Sequence, residues 1–422
     1  MNKYFFIFLS VLYGLLFIGC SSDNDGEDNN NELPAHIALS RSQQDIVDSQ
    51  ARFAFDFFKQ TSVWAGSEKN MVISPLSLSI DLAMLANGAG ERTYEEIVAA
   101  LHLPNTSTEE LNLLYNTLVN ELRNADRKVE FSIANGIWND QNVSFKDEFV
   151  SSIKNYYGAD FQSLDFKDST GTMNVINNWA SKKTNGKISN VFDDDADTGS
   201  TSFILCNALS FNGKWTEPFD KKDTQNLIFS NIDNSVTKVE TMTKSHKILT
   251  YSHAITASAE IVSLPYGNRS FSMYVIIPSV ENDNRNYQVI YEKFIENLDY
   301  DWWIETKAQM RNDELISIHL PKFKIETMCP MIGLTTMKEL TNIVNAPDMS
   351  MMTDASINFL RLDQSNSIEV SENGTVVASV TKGEGVTSAP LSWLVNVNRP
   401  FIFLIEEQST GAILFIGKVV KL

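Results

Sequence analysis

The sequence predicts a mixed α and β domain of the α+β class, and three observations carry that prediction. Between residues 43 and 60, Val47, Ala51, Ala54, Phe55 and Phe58 recur at helical spacing and form one apolar stripe. In VEFSIANGIW the residues alternate instead, placing Val129, Phe131 and Ile133 on one face of a strand. Further strands read in TSFILCNALSF and SFSMYVIIP, and the chain end, PFIFLIEEQSTGAILFIGKVVKL, reads as two strands joined around Ser409-Thr410-Gly411. Helices thus dominate the first third and strands recur after it. Of the 422 residues, 43% are hydrophobic and 10% aromatic, ample for a packed core. From residue 41 onward there is no second Pro/Gly/Ser-rich linker and no repeat, so a single large domain over 41–422 is the economical reading.

Taken in order, the chain starts with Lys3 and the apolar run YFFIFLSVLYGLLFI over residues 4 to 18, shorter than the ~20 residues a spanning helix needs. Residues 1–19 therefore read as a signal peptide. The tetrad Phe17-Ile18-Gly19-Cys20 resembles the lipobox of bacterial lipoproteins, which implies that Cys20 becomes the lipidated first residue of the mature chain; an ordinary secretory signal with an incidental Cys20 is the alternative. The stretch SSDNDGEDNNNE then contains no apolar residue, so residues 20–40 read as lipidated Cys20 plus an acidic, disordered tether. Its acidity resembles the surface-export signals of some outer-membrane lipoproteins. The expected location is the bacterial cell envelope, with the anchor in the outer membrane and its orientation open.

Helix signals follow. Ser74 can cap a helix whose first turn carries Pro75, and Gly88 and Gly90 lie where that helix should stop. Thr93 with Glu96, and Ser107 with Glu110, read as capping boxes for two further helices.

Several chemistries lack an anchor. Asp and Glu number 53 against 34 Lys and Arg, and a net charge of −19 without a basic stripe disfavours nucleic acid as a partner. The five histidines form no HExxH, and Cys20, Cys206 and Cys329 form no CxxC, so no metal site is expected. There is no GxSxG, GxxxxGK[ST] or GxGxxG motif and no nucleophile-base pair to nominate, so an enzyme is not expected, nor a cofactor.

Segments spread from about residue 45 to 422 together resemble the serpin family. They are NMVISPLS with Ser74 and Ser77; ANGIW; INNWASKKTNGKI; CNALSFNGKWTEPFD with Asn207 and Trp215; LPYGNRSFSMYVIIP; LPKFKIE; and NRPFIFLIEEQSTGAILFIGKV. They occur in the family's order. The resemblance implies three β-sheets, eight or nine helices and an exposed reactive-centre loop between Glu372 and Arg399. It also implies a monomer that inhibits serine proteases, with cysteine proteases as a second class, by a suicide-substrate mechanism. The target attacks the loop and becomes acylated, and the loop's N-terminal part then inserts into the central sheet. Serpin loop insertion is itself a standard example of strand addition.

By the same resemblance, Gly374, Thr375, Val376, Val377, Ala378 and Ser379 form the loop hinge, and Trp215 marks the top of the central sheet. Ser74, Ser77, Asn207 and Gln364 match the polar cluster beneath it, with Gln364 where a His often stands. An inserted strand alternates with period two, and Thr375, Val377, Ser379, Thr381, Gly383 and Gly385 would share one face while Lys382 and Glu384 fall on the other. Burying the first face desolvates no ion. The family's count from Gly374 places the scissile bond at Ser388-Ala389, with Thr387 as the alternative recognition residue. These small side chains suit an elastase- or subtilisin-like protease. Val377, where the family favours Ala, supports the rival reading of a non-inhibitory surface binding protein.

Overall fold

The computed structural model describes residues 33–188, 190–192, 197–248, 251–280, 286–312, 316–329, 343, 347–357, 360–375 and 393–422. Among these are α1 (Arg41–Ala65), α2 (Pro75–Ala86), α3 (Glu91–Ala100), α4 (Thr108–Asn124), α5 (Asp147–Tyr157), α6 (Ser169–Lys183), α7 (Tyr287–Asn297) and α8 (Tyr300–Lys307). The strands in the first half are β1 (Met71–Ile73), β2 (Val129–Asp140), β3 (Asp160–Leu164), β4 (Phe203–Lys214), β5 (Gln225–Ser230), β6 (Val236–Ile248), β7 (His253–Ile255) and β8 (Ala259–Pro265). Those that follow are β9 (Phe271–Pro278), β10 (Ile316–Pro321), β11 (Phe323–Cys329), β12 (Leu360–Ser371), β13 (Gly374–Thr375), β14 (Trp393–Asn396), β15 (Phe401–Glu407) and β16 (Ile413–Val419).

Three sheets result. The central sheet runs β11-β12-β13-β4-β2-β3, a second six-stranded sheet runs β1-β16-β15-β9-β8-β7, and a four-stranded sheet runs β14-β10-β6-β5. This is the α+β arrangement the sequence predicts.

Local signals explain most helix ends. The stripe of α1 is buried throughout, with Val47, Ala54, Phe55 and Phe58 fully inaccessible. At α2 the Ser74 hydroxyl accepts the Ser77 N–H and Pro75 takes the first helical position, where its missing N–H costs nothing. Every residue of α2 is buried. The Ser107–Glu110 capping box of α4 is present in both directions. The Thr93–Glu96 box is not: α3 starts after Gly90, and Thr93 lies inside the helix. Its buried Oγ1 instead accepts the Asp348 N–H at 2.8 Å, a contact from far along the chain that outcompetes the local cap.

The folded unit also begins earlier than residue 41, where composition places the end of the tether, at Leu33. The Ala35 N–H donates to Ser270 Oγ at 2.8 Å and the Ile37 N–H to Ser409 Oγ at 3.0 Å, while the Ile37 side chain is buried. Ile37, with Ala35 and Leu39 packed against the same core, and two turn hydroxyls thus fix what composition alone assigns to the tether. On the other face of the central sheet, Ile176 and Ala180 of α6 pack with Trp138, Ile204 and Cys206.

Candidate functional site

Within the central sheet, β4 and β12 each pair with a neighbour on their outer sides. Phe203–Gly213 of β4 pair antiparallel with Val129–Asn139 of β2, and Gln364–Val370 of β12 pair antiparallel with Phe323–Cys329 of β11. On their inner sides the two strands meet directly at one end only, where Leu360–Asp363 run parallel to Phe203–Cys206. At the other end β13 lies between them. Thr375 stands opposite Val370 and Gly213, and Gly374 opposite Ser371 and Lys214, antiparallel to both neighbours. Among the described residues, Gln364–Glu369 and Asn207–Asn212 have no ladder partner on the inner side. The same sequence offset separates Val370 from Gly213 as separates Leu360 from Phe203, so the two ends of the interruption share one register.

Close packing holds the β13 end. Gly374 has φ +139°, and a Cβ there would lie 2.0 Å from the Gly213 carbonyl oxygen, so only glycine fits. Thr375 is 1% exposed and its hydroxyl shares a 2.8 Å hydrogen bond with the Tyr266 hydroxyl. The Tyr266 ring stacks on Trp215 at 4.5 Å, and burial pushes the Tyr266 hydroxyl pKa well above its usual value. Trp215 Nε1–H donates to the Ser371 carbonyl at 2.9 Å, and the Trp215 N–H donates to the Asn373 carbonyl at 3.0 Å. Trp215 therefore grips the chain on the approach to β13.

Beside it, Glu372 accepts from Thr224 Oγ1 at 2.9 Å and lies 3.4 Å from Lys322. Burial pushes the Glu372 pKa up, but its hydrogen bonds and the Lys322 charge hold it below the ordinary glutamate value.

The polar cluster spans the foot of the interruption. Gln364 Oε1 accepts the Ser74 N–H at 3.0 Å and Asn366 Nδ2–H at 2.8 Å, while Gln364 Nε2–H donates to the Ser74 carbonyl at 2.7 Å. Ser74 Oγ–H donates to the Leu414 carbonyl at 2.8 Å. An amide, which can both donate and accept without titrating, serves this position well. Asn207 faces Gln364 from β4, in the row set by the shared register, but belongs to another group. Its Nδ2–H donates to Asn135 Oδ1 at 2.6 Å, and Asn135 Nδ2–H donates to the Tyr157 carbonyl. The buried Ser77 Oγ and Asn207 Oδ1 have no hydrogen-bond partner among the described residues.

The structure thus brings Ser74 and Gln364 together through hydrogen bonds, keeps Asn207 across the interruption from them, and sets Trp215 over the Gly374–Thr375 end. Tyr266, Asn135, Asn366 and Glu372 were given no such role by the sequence. Tyr266 and Asn135 sit inside the motifs LPYGNRS and ANGIW, where their long-range partners leave no local signal. Cys20, Val376, Val377, Ala378, Ser379, Thr387, Ser388 and Ala389 lie outside the described residues. Among the described residues no group of three or more His, Cys, Asp and Glu could hold a metal ion.

Residues 48–422 match the family model described as Serpin (serine protease inhibitor). An "Uncharacterized serpin-like protein" of Methanosarcina acetivorans is 28% identical over 429 residues, covering 99% of this chain and 98% of its own length. The "Leukocyte elastase inhibitor" of Xenopus laevis is 29% identical over 382 residues, covering 89% of this chain and 99% of its own. Among solved structures, the thermophilic serpin tengpin in its native state superposes with a TM-score of 0.78 at 27% identity, over 93% of this chain and 97% of that one.

Proposed function

The chain belongs to the serpin family, a family of protease inhibitors, and from that premise we propose that it traps a serine protease by inserting its reactive loop as a new strand between β4 and β12. The nucleophile of the target attacks the Ser388 carbonyl, the Ser388–Ala389 bond breaks, and Ala389 leaves as an amine. Ser388 remains esterified to the protease. The freed segment from Thr375 onward then enters the sheet and carries the protease with it.

One observation carries this reading: the hinge residues Gly374 and Thr375 already pair with both flanking strands, in the register that β4 and β12 share at the far end. Extending β13 needs the strands to part sideways but not to slide. Continued in that register, Val377 would fall between Ile368 and Phe211, two buried apolar residues, so its bulk suits the row. Thr381 would fall between Gln364 and Asn207, with its hydroxyl available to Asn207 Oδ1.

Mixing the purified chain with a panel of proteases tests the proposal. We expect a covalent adduct with elastase- or subtilisin-like enzymes on a denaturing gel, and a released peptide starting at Ala389 or Ser388. Cleavage by every protease without any adduct would leave the non-inhibitory reading in its place. We further propose that Cys20 carries a lipid anchor in the bacterial outer membrane. A fatty-acid probe should label the wild type but not Cys20→Ala, and label persisting on the variant would contradict the anchor.

A further inference from the structure

Trp393 opens β14, an edge strand paired only with β10 among the described residues. An indole left 47% exposed on a sheet edge adds little to folding and invites contact with other chains. Yet this ring is fixed. Its Nε1–H donates to Glu260 Oε1 at 2.7 Å, and its centroid lies 5.9 Å from that of the His253 imidazole. His253 Nε2 in turn lies 3.2 Å from the same Glu260 oxygen.

Burial pushes the Glu260 pKa up, but hydrogen bonds from His253 and Trp393 and the charge of Arg399 hold it below the ordinary value. The acceptor under the indole is therefore an ionised carboxylate at neutral pH, and charge-assisted hydrogen bonds of this kind are the strong ones. Ile255, two residues beyond His253 on β7, is 53% exposed and adds apolar surface on the same face of the strand.

We infer that Trp393, oriented by Glu260, is a docking surface for the protease engaged at the reactive loop. The inference rests on the inhibitory reading above and adds a recognition element on β14, beyond the cleaved bond. Continuity of the chain selects this partner. Trp393 follows Ala389 by only four residues, which places it within ~15 Å of the cleaved bond even in a fully extended chain. A globular protease seated on that bond covers this distance. A pre-oriented, half-exposed Trp with a polar rim also has the character of an interface hot spot.

The test uses the full chain with elastase and subtilisin, each carrying alanine in place of its nucleophilic serine, so that binding is read without acylation. Trp393→Ala should weaken binding about 10- to 30-fold, Trp393→Phe should retain most of it, and Glu260→Ala should lose roughly threefold by loosening the indole. With the active enzymes, Trp393→Ala should slow adduct formation by the same factor at unchanged stoichiometry. Thr375→Arg should do the reverse, raising stoichiometry while leaving binding intact, which keeps failure of docking distinct from failure of insertion. Equal affinities of wild type and Trp393→Ala would overturn the docking surface. So would absence of wild-type binding to both inactive enzymes, even where an adduct with the active ones upholds inhibition. A self-association of the wild type that Trp393→Ala abolishes would assign the surface to a second copy and also overturn it.

Discussion

The second six-stranded sheet and the central sheet use similar strands, yet one is closed and the other is interrupted. In the second sheet β15 pairs with β16 on one side and β9 on the other, and every residue of these three strands is buried. In the central sheet β4 and β12 each pair with an outer neighbour, but among the described residues their inner sides meet only at Leu360–Asp363 and, through β13, at Gly374–Thr375. A backbone group with no ladder partner forgoes on the order of 1 kcal/mol, so the stretch left open among the described residues is where a further strand would add stabilisation. The closed sheet anchors the fold, and the open one holds a conformational reserve.

A charge at the entry should separate the two regions most sharply. Thr375 is buried beside Tyr266 before cleavage as well as after insertion, so Thr375→Arg should cost several kcal/mol wherever β13 stays in the sheet, and expelling the hinge removes the strand that insertion extends. The variant should turn from inhibitor to substrate, read as a rise in the number of inhibitor molecules consumed per protease trapped. Trapping at the wild-type ratio would break the proposed register.

The foot of the interruption offers a finer contrast. Gln364 makes three hydrogen bonds, two that tie β12 to Ser74 and one to Asn366 within β12, so Gln364→Ala should destabilise the native form by ~3 kcal/mol. Ser77 Oγ has no partner among the described residues, and Ser77→Ala should change stability by less than ~1 kcal/mol. Denaturant midpoints measure both. Equal effects would remove the distinction between the tied and untied parts of the cluster.

The closed sheet should show a modest effect that depends on pH. Lys418 of β16 is buried, donating to the Ser62 and Gly66 carbonyls, and burial pushes its pKa down to about 8. Between about pH 8 and 10 the unfolded chain keeps a proton that the folded chain releases, so this residue makes stability rise with pH in that window. Lys418→Met should flatten the rise by ~1–2 kcal/mol, read from urea midpoints at pH 8 and pH 10. An unchanged slope would show that its ammonium is not strained by burial.

What the sequence made legible was mostly local. The stripe of α1, the Ser74 cap and the Ser107–Glu110 box each depend on residues within one or two turns, and each appears where the pattern places it. Thr93 failed because its decisive partner, Asp348, lies far away in the chain. At the site, motif resemblance picked out Gln364 and Trp215, but not the Tyr266 hydroxyl that meets Thr375 or the Asn135 that holds Asn207. Neither the Trp393–Glu260 contact nor the shared register of the interruption could be read, since both depend on how separate strands align.

The central claim is that loop cleavage lets the interrupted sheet close, and thermal unfolding before and after limited proteolysis tests it most directly. With roughly ten new ladder hydrogen bonds at ~1 kcal/mol each, the cleaved chain should unfold more than ~10 °C above the uncleaved one. An unchanged or lower midpoint after confirmed cleavage between Thr387 and Ala389 would mean that the segment beyond Thr375 does not enter the sheet.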